Sequence, residues 1–249
     1  MAHADPGPWE HVAVSRHDRI TQVTFHTDGN SMVWNGRAHQ ETAEALAWLR
    51  NDAQTHVVIL TGAGDAFCET FISPSTEKAW YEIWSEGRRF ISDLVELDVP
   101  IISVVNGPAT VHAELVVLAD VVLSVPEATF ADRAHMVRGV VPGDGAQVVW
   151  RNLLGASRSN YFLLTGETIS SEEARWIGFV HEIHQREHIL ERALQLAAPL
   201  SRLPRATLAY ARASLRHADR LHYGEDVGYG LALAGLAIAA DKAQDTASG

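Results

Sequence analysis

The 249-residue sequence predicts an α/β fold with buried, largely parallel strands. Short apolar runs, typical of strands covered on both faces, alternate with longer segments of helical periodicity. The composition, 47% apolar and 20% charged, is that of a chain with a packed core. Alternation of strand and helix along the chain favours helices layered on a parallel sheet.

The strands are predicted from two kinds of pattern. Alternating polarity near the beginning of the chain, broken at His17 and Asp18, predicts a β-hairpin. Short apolar runs, the first of them ending at the Gly62 turn, predict buried strands. The predicted strands are the hairpin at 10–27 and the runs at 57–61, 101–105, 121–125 and 129–130.

Helical spacing of apolar residues predicts helices at 38–51, 80–97, 114–119, 144–154 and 170–177. From about Glu187 onward the patterns are only helical. We therefore predict a core at 10–186 and a C-terminal helical region at 187–249. The segment 230–240 is apolar on every face, which predicts burial, either against another subunit or within the chain.

The formal net charge of −11 argues against nucleic acid and anionic membranes as partners. The same charge suits polyanionic CoA poorly. The single cysteine, Cys68, allows no intrachain disulfide and fits a reducing compartment. No signal-like segment or membrane-length apolar run is present, so we expect a cytoplasmic protein.

The most informative motif is the segment NGPATVHAEL at residues 106–115. It resembles the signature loop of the crotonase (enoyl-CoA hydratase/isomerase) superfamily, in which a glycine run supplies an N–H to an oxyanion hole. Here Val111-His112-Ala113 occupy the place of the glycines. Further stretches that resemble the superfamily follow its order at 57–62, 99–107, 119–122, 128–130, 139–143, 161–167 and 174–182.

The resemblance covers nearly the whole chain and implies the crotonase (ClpP-like) fold. That fold is a spiral of ββα units followed by a C-terminal helical region used in trimerisation. It implies a homotrimer or a dimer of trimers, and the sequence does not distinguish between the two.

Within the superfamily, the sequence is most similar to β-diketone hydrolases of the 6-oxocamphor hydrolase type. The similarity rests on Trp34, His112, His135 and Asp144, each within a matching stretch. It implies hydrolysis of a carbon–carbon bond in a cyclic or bicyclic β-diketone, a retro-Claisen reaction that yields a keto acid. Such a reaction needs a small-molecule diketone and water, but no cofactor and no metal.

The resemblance also implies roles for the catalytic candidates. Histidine is suited to act as a base near neutral pH, and a carboxylate improves it by fixing the tautomer. We therefore predict His112 as the base, Asp144 as its orienting partner and His135 as a donor to the substrate or enolate oxygen. The plainer alternatives are a helix N-cap for Asp144 and surface loop positions for the histidines.

Three further residues are predicted to bind the substrate. Trp34 offers an indole N–H and a flat apolar face, His39 follows it at helical distance, and Phe71 lies at the expected rim. Glu114 is predicted to be a helix-start or ion-pair residue. The stretch at 231–236 contains no acidic residue, although the hydrolases have a carboxylate there, so the natural diketone and the stereochemistry remain open.

Two other functions compete with this prediction. An acyl-CoA hydratase or isomerase of the same fold normally has two pocket glutamates, but Glu114 is one position away from the first and the region of the second, 131–135, has none. The residues Glu69-Thr70 also replace the usual alanine-glycine of the oxyanion loop. The other alternative is a non-catalytic binding or assembly protein of the fold.

Overall fold

The fold is described from a computed structural model, which covers residues 6–74 and 77–248. A six-stranded sheet has the order β1-β2-β4-β6-β7-β10. Only the β1–β2 hairpin is antiparallel, and every other pair in this sheet is parallel. These strands are β1 (Val12–His17), β2 (Ile20–Phe25), β4 (Val57–Gly62), β6 (Ile101–Val105), β7 (Val121–Ser124) and β10 (Glu182–Ile183).

Two small sheets stand beside the large one. In the first, β3 (Met32–Trp34) pairs in parallel with β5 (Cys68–Phe71). In the second, β8 (Thr129–Phe130) pairs with β9 (Ile169–Ser170) in the antiparallel sense. The helices are α1 (Gly36–Asn51), α2 (Trp80–Glu96), α3 (Glu114–Val117), α4 (Ala146–Thr165), α5 (Ser171–Ile177), α6 (Arg186–Ser201), α7 (Arg205–Leu215) and α8 (His217–Ser248).

The predicted fold class is confirmed, and the differences lie in the short elements. The sequence did not predict β3, β5, β9 and β10, because strands of two to four residues are too short to show a period of their own. The helix predicted at 144–154 begins at Ala146 and runs on to Thr165. It passes Gly155, whose φ of 74° interrupts the helical backbone.

The central strands are apolar because both of their faces are covered. Residues 57–60 of β4 are completely buried, as are most residues of β6. Helices α1 and α2 pack together near β3, and α6 crosses the sheet at β4 and β6. The sheet therefore forms a rigid base, and the loops that leave its strands can hold functional side chains in fixed positions.

Buried Arg212 of α7 fixes the C-terminal helices to the core. Its guanidinium donates to the backbone carbonyls of Leu94, Val95 and Leu97 at the end of α2, and it pairs with Asp120. A guanidinium can satisfy several orphan carbonyls of a helix end at once. This contact fixes one end of α2, the helix against which α8 packs.

Helix α8 is buried on one side only in the single chain. Leu231 and Ala234 are buried, whereas the side chain of Leu236 is 66% exposed. The segment predicted to be covered on every face therefore presents an apolar surface outside the chain's own core. Among the described residues, no helix is both long and apolar enough to cross a membrane.

Two glycines allow α8 to approach the loop that precedes α4. A β-carbon on Gly143 would lie 2.2 Å from the carbonyl oxygen of Gly230, and one on Gly230 would lie 2.5 Å from that of Gly143. Neither position tolerates a side chain without movement of backbone. The contact places the residue after Gly143, which is Asp144, beneath the middle of α8.

We predict that Gly230→Ala destabilises the protein by about 1–3 kcal/mol, the usual cost of overpacking, and displaces α8 from the Asp144 loop. Gly224→Ala is the matched control in the same helix, because a β-carbon there meets no atom within 4 Å. The control should instead stabilise the helix by about 0.5–1 kcal/mol. Urea denaturation of both variants measures the two changes, and equal effects would contradict the close-approach argument.

Candidate active site

All six residues that the sequence predicted for the site line one cavity of about 130 Å³. Trp34 and Phe71 end β3 and β5, His112 lies in the loop after β6, and His135 follows β8. Helix α1 contributes a further histidine, and the loop before α4 contributes the aspartate. The six residues are Trp34, His39, Phe71, His112, His135 and Asp144. A wider groove of about 740 Å³ between α4 and α8 is lined by none of these six residues.

His112 is held by a constrained loop. Its φ of 48° is in the left-handed region, which costs a non-glycine residue of the order of 1 kcal/mol. The start of the loop is fixed by Asn106, whose side-chain amide donates to the carbonyls of Ala63, Gly64 and Ala66. The His112 ring then lies obliquely against the Trp34 indole, with ring centroids 4.0 Å apart.

His135 lies between two carboxylates. Its Nδ1 hydrogen-bonds both oxygens of Asp132 at 2.8 and 3.0 Å, and its Nε2 hydrogen-bonds Asp144 Oδ2 at 3.1 Å. Burial opposes the charge on His135, but Asp144 and Asp132 outweigh it and raise its pKa well above the usual value. His135 is therefore an imidazolium at neutral pH, flanked by two aspartates.

The pKa of Asp144 is correspondingly lowered. Burial alone would raise it, but the charge and the hydrogen bond of His135 stabilise the carboxylate and prevail. Asp144 is thus ionised throughout the neutral range. The row Asp132–His135–Asp144 carries a net charge of −1 when the imidazole is protonated. Asp132 and His135 are buried, and the side chain of Asp144 is 14% exposed.

The structure pairs Asp144 with a different histidine from the one that the sequence predicted. We expected Asp144 to orient His112, but its Oδ2 accepts a hydrogen bond from His135 Nε2 and is 3.6 Å from His112 Nδ1. Burial lowers the pKa of His112 to about 4, although Asp144 opposes the shift. His112 is therefore a neutral imidazole at neutral pH, next to the ionised pair.

Three buried polar atoms of the cavity residues have no hydrogen-bond partner among the described residues. They are Trp34 Nε1, His112 Nδ1 and Asp144 Oδ1. An unpaired buried polar atom costs about 1–3 kcal/mol, so such atoms are rare unless a ligand or water completes them. One is a donor, one is an acceptor, and the imidazole nitrogen is either, depending on its tautomer.

His39 also contacts Trp34 and is held by a carboxylate of its own. Its Nδ1 hydrogen-bonds Glu86 Oε2 at 2.8 Å, and Lys78 pairs with the other oxygen of Glu86. The Trp34 and His39 rings meet edge to face with centroids 5.8 Å apart. The Glu86 contact fixes the ring orientation of His39 at the cavity wall.

The rest of the cavity is largely apolar. Phe71 forms part of the rim, and the Arg138 guanidinium lies 5.2 Å from the centre of its ring. Helix α2 contributes Trp80 and Ile83 to the wall. Helix α8 contributes only apolar side chains, as its sequence predicted: Leu231, Ala234 and Ile238.

The sequence predicted no role for Asp132, and for Glu114 it predicted only a helix-start or ion-pair role. Asp132 stands three residues before His135, a spacing at which two side chains of one tight loop can meet, and this was the available signal. Glu114 is buried and accepts a hydrogen bond from Trp150 Nε1 at 2.8 Å. Burial, with Asp144 and Asp132 nearby, raises the pKa of Glu114 to about 8.

Comparison with known proteins identifies the family. The family model for enoyl-CoA hydratase/isomerase matches residues 15–244. The chain belongs to this family. The crotonase fold that the sequence predicted is thereby confirmed, with its α/β core and C-terminal helices.

Curated members of the enoyl-CoA hydratase/isomerase family resemble the chain over most of its length. A 2,3-dehydroadipyl-CoA hydratase of Escherichia coli is 26% identical over 211 residues, covering 84% of this chain and 82% of the relative. A carnitinyl-CoA dehydratase of Citrobacter koseri is 27% identical over 197 residues, covering 77% and 74%. Both relatives are named for CoA substrates.

The solved structures that resemble this chain include one enzyme that is not named for a CoA substrate. A β-diketone hydrolase from the cyanobacterium Anabaena, bound to (S)-3-oxocyclohexyl acetic acid, superposes with a TM-score of 0.89 at 34% identity. The match covers 92% of this chain and 94% of that one. An enoyl-CoA hydratase/isomerase from Mycobacterium paratuberculosis, at 21% identity and a TM-score of 0.83, covers 92% and 93% and shares the fold.

The raised pKa of Glu114 predicts a pH-dependent stability difference from Glu114→Gln. The folded state holds a proton on Glu114 up to about pH 8, whereas the unfolded state releases it near 4.5. The contribution of Glu114 to stability is therefore complete below 4.5 and is lost as the pH rises through 8.

Wild type should accordingly lose stability relative to Glu114→Gln between these pH values, by the order of a few kcal/mol in total. Urea titrations of both proteins at several pH values measure the difference. A difference that stays constant with pH would show that Glu114 titrates normally in the folded state.

Proposed function

We propose that this protein hydrolyses a carbon–carbon bond of a small cyclic 1,3-diketone by a retro-Claisen reaction that uses no cofactor. The observation that carries the proposal is that Trp34 Nε1 and Asp144 Oδ1 are both buried and without partners among the described residues, and that their side chains line one cavity together with His112. Such a reaction needs hydrogen-bond donors for an enolate oxygen and an acceptor for an attacking water. The arrangement supports both requirements.

The reaction breaks a carbon–carbon bond and one O–H bond of water, and it forms a C–O bond and a C–H bond. Water oxygen attacks one carbonyl carbon, and one water proton leaves to a base. The bond from that carbon to the carbon between the carbonyls then breaks, and its electron pair forms an enolate with the second carbonyl. The enolate carbon takes up the proton, so that the products are a carboxylic acid and a ketone. In a ring, both groups belong to one keto acid.

We assign the binding and deprotonation of the attacking water to the Asp144–His135 pair instead of His112. Asp144 Oδ1 has no hydrogen-bond partner in the described chain, so it is available to accept a hydrogen bond from the attacking water. Asp132 fixes His135, and His135 stabilises the charge of Asp144 through the hydrogen bond to Oδ2. The row has a net charge of −1, and Asp144 Oδ1 is the atom in it that takes up the water proton. Asp144 later returns this proton to the enolate carbon.

We assign the enolate oxygen to Trp34 and His112. The Trp34 indole can only donate, and its N–H has no partner among the described residues. His112 is neutral because burial lowers its pKa to about 4, so one of its nitrogens carries a proton and one does not. Two preorganised donors in a buried site stabilise charge that develops in the transition state.

The size and polarity of the cavity favour a neutral, compact substrate. At about 130 Å³ the cavity is well below the roughly 300 Å³ at which drug-sized ligand sites begin. Its walls on α2 and α8 are apolar, which suits the hydrocarbon part of an alicyclic ring. The Anabaena β-diketone hydrolase is bound to a compound that contains both a ketone and a carboxylic acid, the kind of product that this reaction gives.

An acyl-CoA hydratase is the second candidate, and the curated relatives with CoA substrates favour it. Against it stand the ionised Asp144 at the cavity wall and the net charge of −11. Turnover of a bicyclic 1,3-diketone without CoA or metal, followed by keto acid formation, distinguishes the candidates when crotonyl-CoA is tested in parallel. Thioester turnover without diketone cleavage would overturn the proposal.

Asp144→Asn should lower kcat for diketone cleavage by about 10²-fold or more, because a neutral amide cannot accept the water proton. Asp65→Asn is the matched control, since the Asp65 side chain is fully exposed and outside the cavity. Steady-state kinetics of both variants test the assignment. Full activity in Asp144→Asn would remove Asp144 from the chemistry.

Trp34→Phe keeps an aromatic ring at the cavity wall and removes only the indole N–H. The loss of one donor to the enolate oxygen should lower kcat by about 10²-fold, with a smaller effect on KM. Trp84→Phe, in α2, makes the same chemical change at a tryptophan whose ring contacts Arg88. If the two variants have the same kcat, the indole N–H of Trp34 does not act on the transition state.

A further inference from the structure

Glu114 is a buried carboxyl group that the proposed reaction has not used. It stands two residues after His112, at the start of α3, and only 4% of it is exposed. Its Oε1 accepts the hydrogen bond of Trp150 Nε1 at 2.8 Å, which orients the carboxyl group. Its Oε2 lies 3.9 Å from His112 Nδ1, the nitrogen without a partner in the described chain.

The surroundings of Glu114 disfavour a negative charge. The ionisable groups that face it are His112 on its own loop, Asp132 and His135 after β8, and Asp144 before α4. His39 on α1 acts on the same cluster through His112. Burial is the largest cause of the raised pKa of Glu114, about 8, and the two aspartates add to it. Glu114 is therefore a neutral carboxylic acid at neutral pH.

The Trp150 contact decides which oxygen carries the proton. Oε1 is occupied as an acceptor, so the hydroxyl of the neutral acid is at Oε2, the oxygen next to His112. A neutral imidazole has one nitrogen that accepts a hydrogen bond. Asp144 Oδ2 lies 3.6 Å from the same nitrogen, but it already accepts the hydrogen bond of His135 Nε2. The Oε2–H donor of Glu114 then selects Nδ1 as the acceptor.

We propose that Glu114 is a positioning residue that donates its Oε2–H to His112 Nδ1 and so holds the imidazole in the Nε2–H tautomer. The separation of 3.9 Å closes by a small rotation of either side chain, as hydrogen bonds in substrate-free sites commonly tighten on binding. The consequence for catalysis rests on the proposed function: the Nε2–H tautomer is the one that donates to the enolate oxygen beside Trp34.

The same arrangement gives an alkaline limit to activity. When Glu114 ionises, its carboxylate accepts the Nδ1–H of His112 instead, and the imidazole tautomer changes. Nε2 then presents a lone pair to the enolate oxygen, which repels it. Activity should therefore fall as the pH rises through about 8.

Two substitutions separate this role from simple packing. In Glu114→Gln the amide oxygen can accept from Trp150 and the amide N–H can donate to His112, which imitates the protonated acid without its titration. The kcat of this variant should be only a few-fold lower than that of wild type, and its activity should no longer fall at alkaline pH. Glu114→Leu has neither hydrogen bond, and its kcat should fall by about 10²-fold. An unchanged alkaline limb in Glu114→Gln would overturn the proposal.

A spectroscopic measurement tests the tautomer without any substrate. Nitrogen-15 NMR of the histidine-labelled wild-type protein, with the His112 signals assigned by their loss in His112→Gln, reports which ring nitrogen is protonated. We expect Nε2–H near neutral pH in wild type and Glu114→Gln, and a change to Nδ1–H above about pH 8 in wild type alone.

An Nδ1–H tautomer of wild-type His112 at neutral pH would overturn the inference, whatever the activity. The expected tautomer in a protein that cleaves no diketone would support the Glu114–His112 contact and refute only the proposed function. The two conclusions can therefore fail separately.

Discussion

The site depends on the buried imidazolium of His135 between Asp132 and Asp144. A buried ion costs several kcal/mol unless partners compensate it, and here each aspartate contributes a hydrogen bond as well as a charge. Burial and the negative charge of this row together disfavour ionisation of Glu114, and burial keeps His112 neutral. A charged and a neutral imidazole, and an ionised and a neutral carboxyl group, thus lie side by side. Burial and the neighbouring groups fix the protonation state of each.

The backbone places these groups with little freedom. His112 lies in a left-handed conformation on a loop that Asn106 fixes to the turn after β4. Asp144 is held from the other side, because Gly143 and Gly230 let α8 press directly onto its loop. The strand ends supply Trp34, and Arg212 fixes α7 to the end of α2. Hydrogen-bond geometry within the cavity is therefore a product of packing well outside it.

Proteins that share this fold are named for more than one reaction. Curated relatives with CoA substrates and a solved β-diketone hydrolase match the same chain over most of its length. A shared fold therefore does not decide the reaction, which depends on the groups that enter the cavity. In this chain those groups are an aspartate–histidine row, a neutral histidine and an indole N–H. Apolar residues of α8 close the opposite side, and the cavity is small.

The sequence by itself determined the fold class, the buried strands such as β4 and β6, and six of the side chains that line the cavity. Local periodicity encodes the strands, and the signature loop at 106–115 fixes the place of His112 along the chain. The short strands β3, β5, β9 and β10 depend on pairing with distant residues, so local patterns could not predict them.

Only the tertiary structure decided which carboxylate meets which imidazole. The sequence paired Asp144 with His112, but the fold brings it into hydrogen-bonding distance of His135 and adds Asp132 on the other side of that ring. It also turns Glu114 inward toward Trp150 and His112. A hydrogen bond depends on differences of a few tenths of an ångström and on burial, and both arise only when separate loops pack together.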